Sequence, residues 1–214
     1  MLDKVGILIC TTENRLAEAN FIKKNLHSDF SDNVVIEIVR DGENVAMTRN
    51  RFLIKTKFEY VCFIPINYLV MGNSSWINAL YECFHMVAKV GMVGLLNHST
   101  HYNLSQILTY KLDLLDVHYS IDNTVDGIYM IHVPTMLLEI GGFEQGSEYA
   151  PYIDFILNKK FQVKEFNCFY IQNHFAFSYR MNDNILVPRK TKEAYTASLN
   201  LLKNYAKQKH KDEI

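Results

Sequence analysis

Continuous apolar runs alternate with stretches of helical spacing through the first half of the chain. Val5 to Cys10 (VGILIC) is an unbroken apolar run, which predicts a strand covered on both faces. Arg15 to Leu26 follows as a helix, with Leu16, Ala19, Ile22, Lys23 and Leu26 at helical spacing. Val34 to Val39 (VVIEIV) is a second strand, stopped by the turn pair Asp41-Gly42. Val45 to Thr56 reads as a short helix, Tyr60 to Ile64 (YVCFI) as a third strand, and Ser74 or Ser75 can cap a helix running to about Ala88. Gly91 to Leu96 is strand four. Strands and helices in strict alternation predict an α/β fold with an open, mainly parallel sheet, whose ligands sit at the carboxyl ends of the strands.

The second half is less regular. Residues 97 to 126 are polar and predict loop, and Ile128 to Val133 (IYMIHV) resumes as a strand. A short helix from Pro134 to Ile140 stops at Gly141-Gly142, Pro151 to Lys160 is helical, and Gln162 to Phe177 holds one or two more strands. Lys190 to Lys209 reads as an amphipathic helix with a basic end.

Composition narrows the class. The 214 residues are 49% hydrophobic and 13% aromatic, too apolar for a disordered chain, and a formal net charge of −1 supplies no dominant basic field for nucleic acid or membrane surfaces. No apolar run is long enough to span a membrane and the opening MLDKVGILIC is too short for a signal peptide, so the expected location is cytoplasmic. The four cysteines lie without C-x-x-C pairing and read as small buried hydrophobes. His98 and His101 form an H-x-x-H without accompanying carboxylates.

Six segments, in order, resemble the motifs of inverting family-two glycosyltransferases of the GT-A fold. VRDGEN (39–44) is similar to that family's V-D-D-G-S nucleotide loop, and AMTRNRF (46–52) to its A-x-A-R-N-x-G helix start. FEYVCFIPIN (58–67) stands in the place of G-E-Y-I-x-F-L-D-D-D. VDGIYMIHVPTMLLEIGGFEQ (125–145) resembles the segment ending in G-G-F-D-E, and YIDFILNKKFQVKEF (152–166) the E-D-x-D-F segment. His174 and Ser178 match a late H-x-x-x-S. The match covers roughly residues 1 to 180, and the expected division is a GT-A-like domain over 1–189 followed by the basic helix and tail over 190–214.

The resemblance implies transfer of a sugar, with inversion, from a nucleotide-sugar (UDP-linked) to an acceptor hydroxyl. Asp41 would accept hydrogen bonds from base or ribose, with Thr11 and Glu13 on the other lip of the same pocket; Asp41 is equally an ordinary turn residue and Glu13 an exposed helix-start acid. Arg49 would approach the diphosphate as a guanidinium fork. Gly127, after Asp126, would admit a ligand close to the backbone. The family's base is a carboxylate of the E-D pair; Asp154 is the acid within YIDF and Glu148 lies six residues earlier, while helix capping is the other reading of Asp154. Tyr102, Tyr110, Tyr119 and Tyr129 can stack on sugar faces or pack in the core.

One motif departs. Where the family has Asp-x-Asp for Mn²⁺ or Mg²⁺, this chain has Pro65-Ile66-Asn67, with one amide oxygen in place of two carboxylates. Three explanations stand open: a metal held by Asn67, His174 and the diphosphate; cationic side chains in place of the metal; or an inactive GT-A-like binding or assembly module. A nucleotidyltransferase would need a Gly-rich loop after strand one, and CTTENRLAEAN has no glycine. The acceptor is undefined (glycan, protein or modified nucleic acid), and Lys190, Lys192, Lys203, Lys207, Lys209 and Lys211 form either a solvated face or a polyanion contact.

Overall fold

A computed structural model describes residues 5–11, 15–27, 34–40, 44–66, 68–70, 75–97, 117–118, 125, 127–146 and 152–178, with 196–197, 200–201 and 204. Its elements follow the predicted alternation: β1 (Val5–Thr11), α1 (Leu16–His27), β2 (Val34–Arg40), α2 (Val45–Lys55), β3 (Tyr60–Pro65), β4 (Tyr68–Val70), α3 (Ser75–Met86) and β5 (Val90–Asn97). Then come β6 (Val117–His118), β7 (Tyr129–His132), the single turn α4 (Val133–Thr135), a π-helix (Met136–Ile140), α5 (Ile153–Val163) and β8 (Asn167–Ser178).

These strands form one sheet in the order β2-β1-β3-β7-β5-β8-β4, with β6 added on β8. β1, β2, β3, β5 and β8 run one way, and β4, β6 and β7 run against them. The predicted mainly parallel sheet is therefore present, with antiparallel β7 inserted between β3 and β5.

Burial explains the sequence pattern. Every residue of β1 is buried, because Val5, Ile7 and Ile9 face one helical layer while Leu8 and Cys10 face the other. On the first face Ala19, Ile22 and Leu26 of α1 and Trp76, Ile77, Leu80 and Cys83 of α3 complete the core. On the second, Ala46 and Leu53 of α2, Met136 and Ile140 of the π-helix, and Leu157 and Phe161 of α5 do the same. β2 is an edge strand, and its alternation of buried Val34 and Ile36 with exposed Val35 gives way toward its carboxyl end, where Val39 packs against the second core.

Two predicted boundaries shift. The helix expected over 134–140 is one α-turn followed by a π-helix, closed at Gly141 with φ 77°. Gln162 and Val163, expected in strand, continue α5, since the buried Phe161 holds that last turn against the sheet at Gly91. Of the expected basic helix, residues 196, 197, 200, 201 and 204 are helical, and its six lysines lie outside the described residues. Among the described residues no helix is long and apolar enough to cross a membrane.

All four cysteines are free and buried. Burial pushes the Cys83 and Cys168 thiols up to about 12 and the Cys62 thiol up as well. The native protein is therefore expected to leave a thiol reagent such as DTNB unreacted at pH 8 and to release four equivalents when unfolded in guanidinium; prompt labelling of the native state would contradict this packing.

Candidate active site at the carboxyl edge of the sheet

The carboxyl ends of β1, β2 and β3 lie side by side, with Thr11 opposite Arg40 and Cys10 opposite Pro65. Thr11, buried, is the last residue of β1. β7 runs the other way, so its first residue, Tyr129, lies beside Phe63 of β3 and Gly94 of β5, toward the same edge. α2 begins just after β2, its N-terminus capped by Asn44, whose side-chain oxygen accepts from the Met47 N–H at 2.9 Å.

Two neighbouring residues of α2 tie this edge together. Arg49 is 5% exposed, its guanidinium carbon 5.3 Å from the Phe63 ring centre and 5.5 Å from that of Phe143. A charge so buried needs a counter-charge, and Asp154 in the first turn of α5 supplies it: Arg49 Nη1 donates to Asp154 Oδ1 at 3.3 Å. Tyr129 completes the triad. Its hydroxyl donates to the same Oδ1 at 2.7 Å and accepts from Arg49 Nη1 at 3.2 Å. The Asp154 side chain remains 20% exposed. Burial first, and the neighbouring Asp154 carboxylate second, hold the Tyr129 hydroxyl well above its usual titration range, against an opposing contribution from Arg49.

Asn50 serves the adjoining corner. Its side-chain nitrogen donates to the Phe143 carbonyl and its oxygen accepts from the Phe143 N–H, both at 2.8 Å. Gly142 sits at φ 82°, and a Cβ there would come within 2.7 Å of Asn50 Oδ1, so both the backbone and the space require glycine. From the other side, Lys160 Nζ donates to the Gly142 carbonyl at 2.8 Å and lies 3.6 Å from Glu144. Burial lowers the Lys160 pKa, and Glu144 partly offsets this. Asn44 adds a bond to the Gln145 carbonyl. The G-G-F corner is thus fixed by α2 and α5 together.

Of the predicted site residues, the structure brings Arg49 and Asp154 into contact. Arg49 was expected at a diphosphate; here its guanidinium is engaged with Asp154 and Tyr129. Asp154 does not cap its helix, since the N-cap position is Tyr152 and makes no side-chain cap bond. Gly127, buried, has φ 78°, the backbone expected of a glycine required by its position. Glu13, Asp41, Asn67, Glu148 and Asp126 lie outside the described residues, as do His98, His101, Tyr102, Tyr110 and Tyr119, and the side chain of His174 in β8. Stacking of Tyr129 on a sugar is ruled out, because the residue is fully buried.

Two residues of the constellation, Lys160 and Asn50, were not singled out from sequence, and Tyr129 was read only as a stacking or packing aromatic. Tyr129 carries a hydroxyl inside an apolar strand buried on both faces, which must find a partner. Lys160 falls on the stripe Ile153, Ile156, Leu157, Lys160, Phe161, a cation at a core position of α5. Asn50 had only its adjacency to Arg49 as a signal.

The described residues do not furnish a hard-cation site. Pro65, the last residue of β3, and Ile66 after it carry no side-chain oxygen, and among the described residues no group of three His, Cys, Asp or Glu converges.

Solved structures of similar architecture match the chain at low sequence identity. A mannosyltransferase, PcManGT from Pyrobaculum calidifontis in complex with GDP-Man and Mn²⁺, aligns with a TM-score of 0.59 at 12% identity, over 92% of this chain and 60% of that one. S. aureus TarS 1-349 aligns with a TM-score of 0.62 at 11% identity, over 94% and 65%. The same TarS fragment in complex with UDP-GlcNAc gives 0.59 at 10% identity, over 94% and 66%. This chain therefore spans about 60 to 66% of the length of these proteins. The fold is GT-A-like. No protein-family model and no curated protein matches the sequence.

Two outcomes follow from the geometry. Asn50→Ala removes both bonds to Phe143 and is expected to lower unfolding free energy by about 2–4 kcal/mol in urea denaturation; an unchanged midpoint would contradict the clamp. The raised Tyr129 pKa makes its stabilisation complete below about pH 10, where the unfolded tyrosine is protonated too, and lost as pH rises from there toward the folded value. Wild-type stability should therefore fall more steeply above about pH 10 than that of Tyr129→Phe, and parallel curves would refute it.

Proposed function

We propose that this protein transfers a sugar from a nucleotide-sugar donor, UDP-linked, to an acceptor hydroxyl with inversion at the anomeric carbon. The observation that carries the reading is the partly exposed Asp154 carboxylate, held by Arg49 and Tyr129 at the carboxyl edge of a GT-A-like sheet. In open α/β sheets this edge is where ligands bind, and structures of the same fold hold GDP-Man with Mn²⁺ and UDP-GlcNAc. An acceptor hydroxyl within hydrogen-bond reach of Asp154 would lose its proton to that carboxylate as it attacks the anomeric carbon. Glu148 is the second candidate for this base. Thr11, Glu13 and Asp41 are assigned to the nucleotide, Gly127 to close backbone approach of the sugar, and Asn67 with His174 to any Mn²⁺ or Mg²⁺ that accompanies the donor. Arg49, already paired, acts through Asp154 rather than on the leaving group.

Pro65-Ile66 at the end of β3 favours a second reading, a GT-A-like binding or assembly module that has lost turnover. Calorimetry with UDP-GlcNAc, UDP-glucose and GDP-mannose, each with and without Mn²⁺, separates the two when combined with measured nucleoside diphosphate release. The transferase reading expects donor binding together with release, and release lowered about 10²–10⁴-fold in Asp154→Asn while donor binding persists. Binding without release would favour the module; no binding to any donor would sink the transferase reading.

A further inference from the structure

The hydrogen bonds around Asp154 are one-sided. Both donors that reach the carboxylate, the Tyr129 hydroxyl at 2.7 Å and Arg49 Nη1 at 3.3 Å, converge on Oδ1. Among the described residues no hydrogen bond or ion pair reaches Oδ2. A carboxylate on a helix surface ordinarily rotates about its terminal torsion, exchanging its two oxygens. Here rotation would break the Tyr129 bond and pull Oδ1 from a guanidinium 5% exposed, whose pairing the fold requires. The two donors approach from different elements, β7 and α2, while the carboxylate rides on α5, so the orientation is fixed from three directions. The group remains 20% exposed although Arg49 and Tyr129 are buried, so Oδ2, which no described residue bonds, is the oxygen left to meet an incoming molecule.

We infer that Tyr129 is a positioning residue for the transfer reaction: its hydroxyl, with Arg49, fixes Asp154 Oδ1 and thereby presents Oδ2 as the oxygen that takes the acceptor's proton. This rests on the transferase reading given above. In the step, the acceptor O–H proton passes to Oδ2 and the acceptor oxygen forms its bond to the anomeric carbon. The bond from that carbon to the donor diphosphate breaks, and its electron pair leaves with the nucleoside diphosphate. Tyr129 neither gains nor loses a proton, and being fully buried it touches neither sugar nor nucleotide. Its contribution is orientation, which shows in the rate of the step and not in donor affinity.

The test compares wild type, Tyr129→Phe, Asp154→Asn and the double variant, each checked for folding by circular dichroism and for donor affinity by calorimetry. UDP-GlcNAc and GDP-mannose serve as donors, with water standing in for the acceptor hydroxyl and nucleoside diphosphate release as the readout. Tyr129→Phe keeps the ring and its packing. It is expected to lower kcat about 10- to 100-fold while KM and donor Kd change less than about twofold. In the Asp154→Asn background the same substitution should change release by less than about twofold, because an oriented base no longer exists to be disturbed. Wild-type turnover matched by Tyr129→Phe would overturn the positioning role alone. So would a Tyr129→Phe loss that recurs in full in the Asp154→Asn background, or one that appears only in KM. A folded wild type that releases nucleotide from no donor overturns the transferase reading, and this inference with it. Should Asp154→Asn fail to fold, the split between kcat and KM in Tyr129→Phe decides the matter.

Discussion

A buried guanidinium is the constraint around which the second face of this molecule is organised. Arg49 lies against two phenyl rings that touch each other, with almost no access to water, so its charge must be answered inside the protein. The answer comes from α5 through Asp154 and from β7 through Tyr129, and this draws three elements distant in sequence to one point. Asn50, the next residue, turns from the same helix toward the G-G-F corner and binds it from both sides. One turn of α2 therefore sets both the carboxylate and the loop that leads toward it. Lys160 repeats the arrangement from α5, with its cation placed on a carbonyl and an acid of that same corner.

Much of the architecture could be read from the chain because burial writes directly into residue pattern. β1 and β3 are covered on both faces and are apolar throughout, while edge strand β2 alternates. Arg49 and Asp154 were also legible as chemistry-bearing positions, through the order of motifs. What pattern does not carry is pairing across 80 or 105 residues of separation, the distances that divide Arg49 from Tyr129 and from Asp154. An arginine beside an asparagine on a helix looks alike whether it faces water or a carboxylate. Tyr129 was legible only as a stacking or packing aromatic, since a tyrosine in an apolar strand does not announce which carboxylate its hydroxyl meets. The π-helix was equally silent, because the sequence of its five residues is that of any short amphipathic turn.

The departure at the end of β3 has a physical consequence for the chemistry. A GT-A-like sheet ending in Pro65 and Ile66 offers backbone and hydrocarbon where hard cations prefer carboxylate oxygens. Under the proposed transferase reading, the donor diphosphate would be neutralised by groups beyond the strand end, because Arg49 is already paired with Asp154.

The double engagement of Asp154 Oδ1 also bears on how this sequence can drift. A substitution that removes the Asp154 carboxylate while Arg49 stays leaves an unanswered charge in the core, a defect of about 3–5 kcal/mol in comparable buried pairs. Replacing Arg49 first exacts less, because Asp154 keeps the Tyr129 bond and its contact with solvent. Drift at this cluster is thus ordered: the arginine yields before the acid. For as long as Arg49 stays, the fold itself keeps the carboxylate in place.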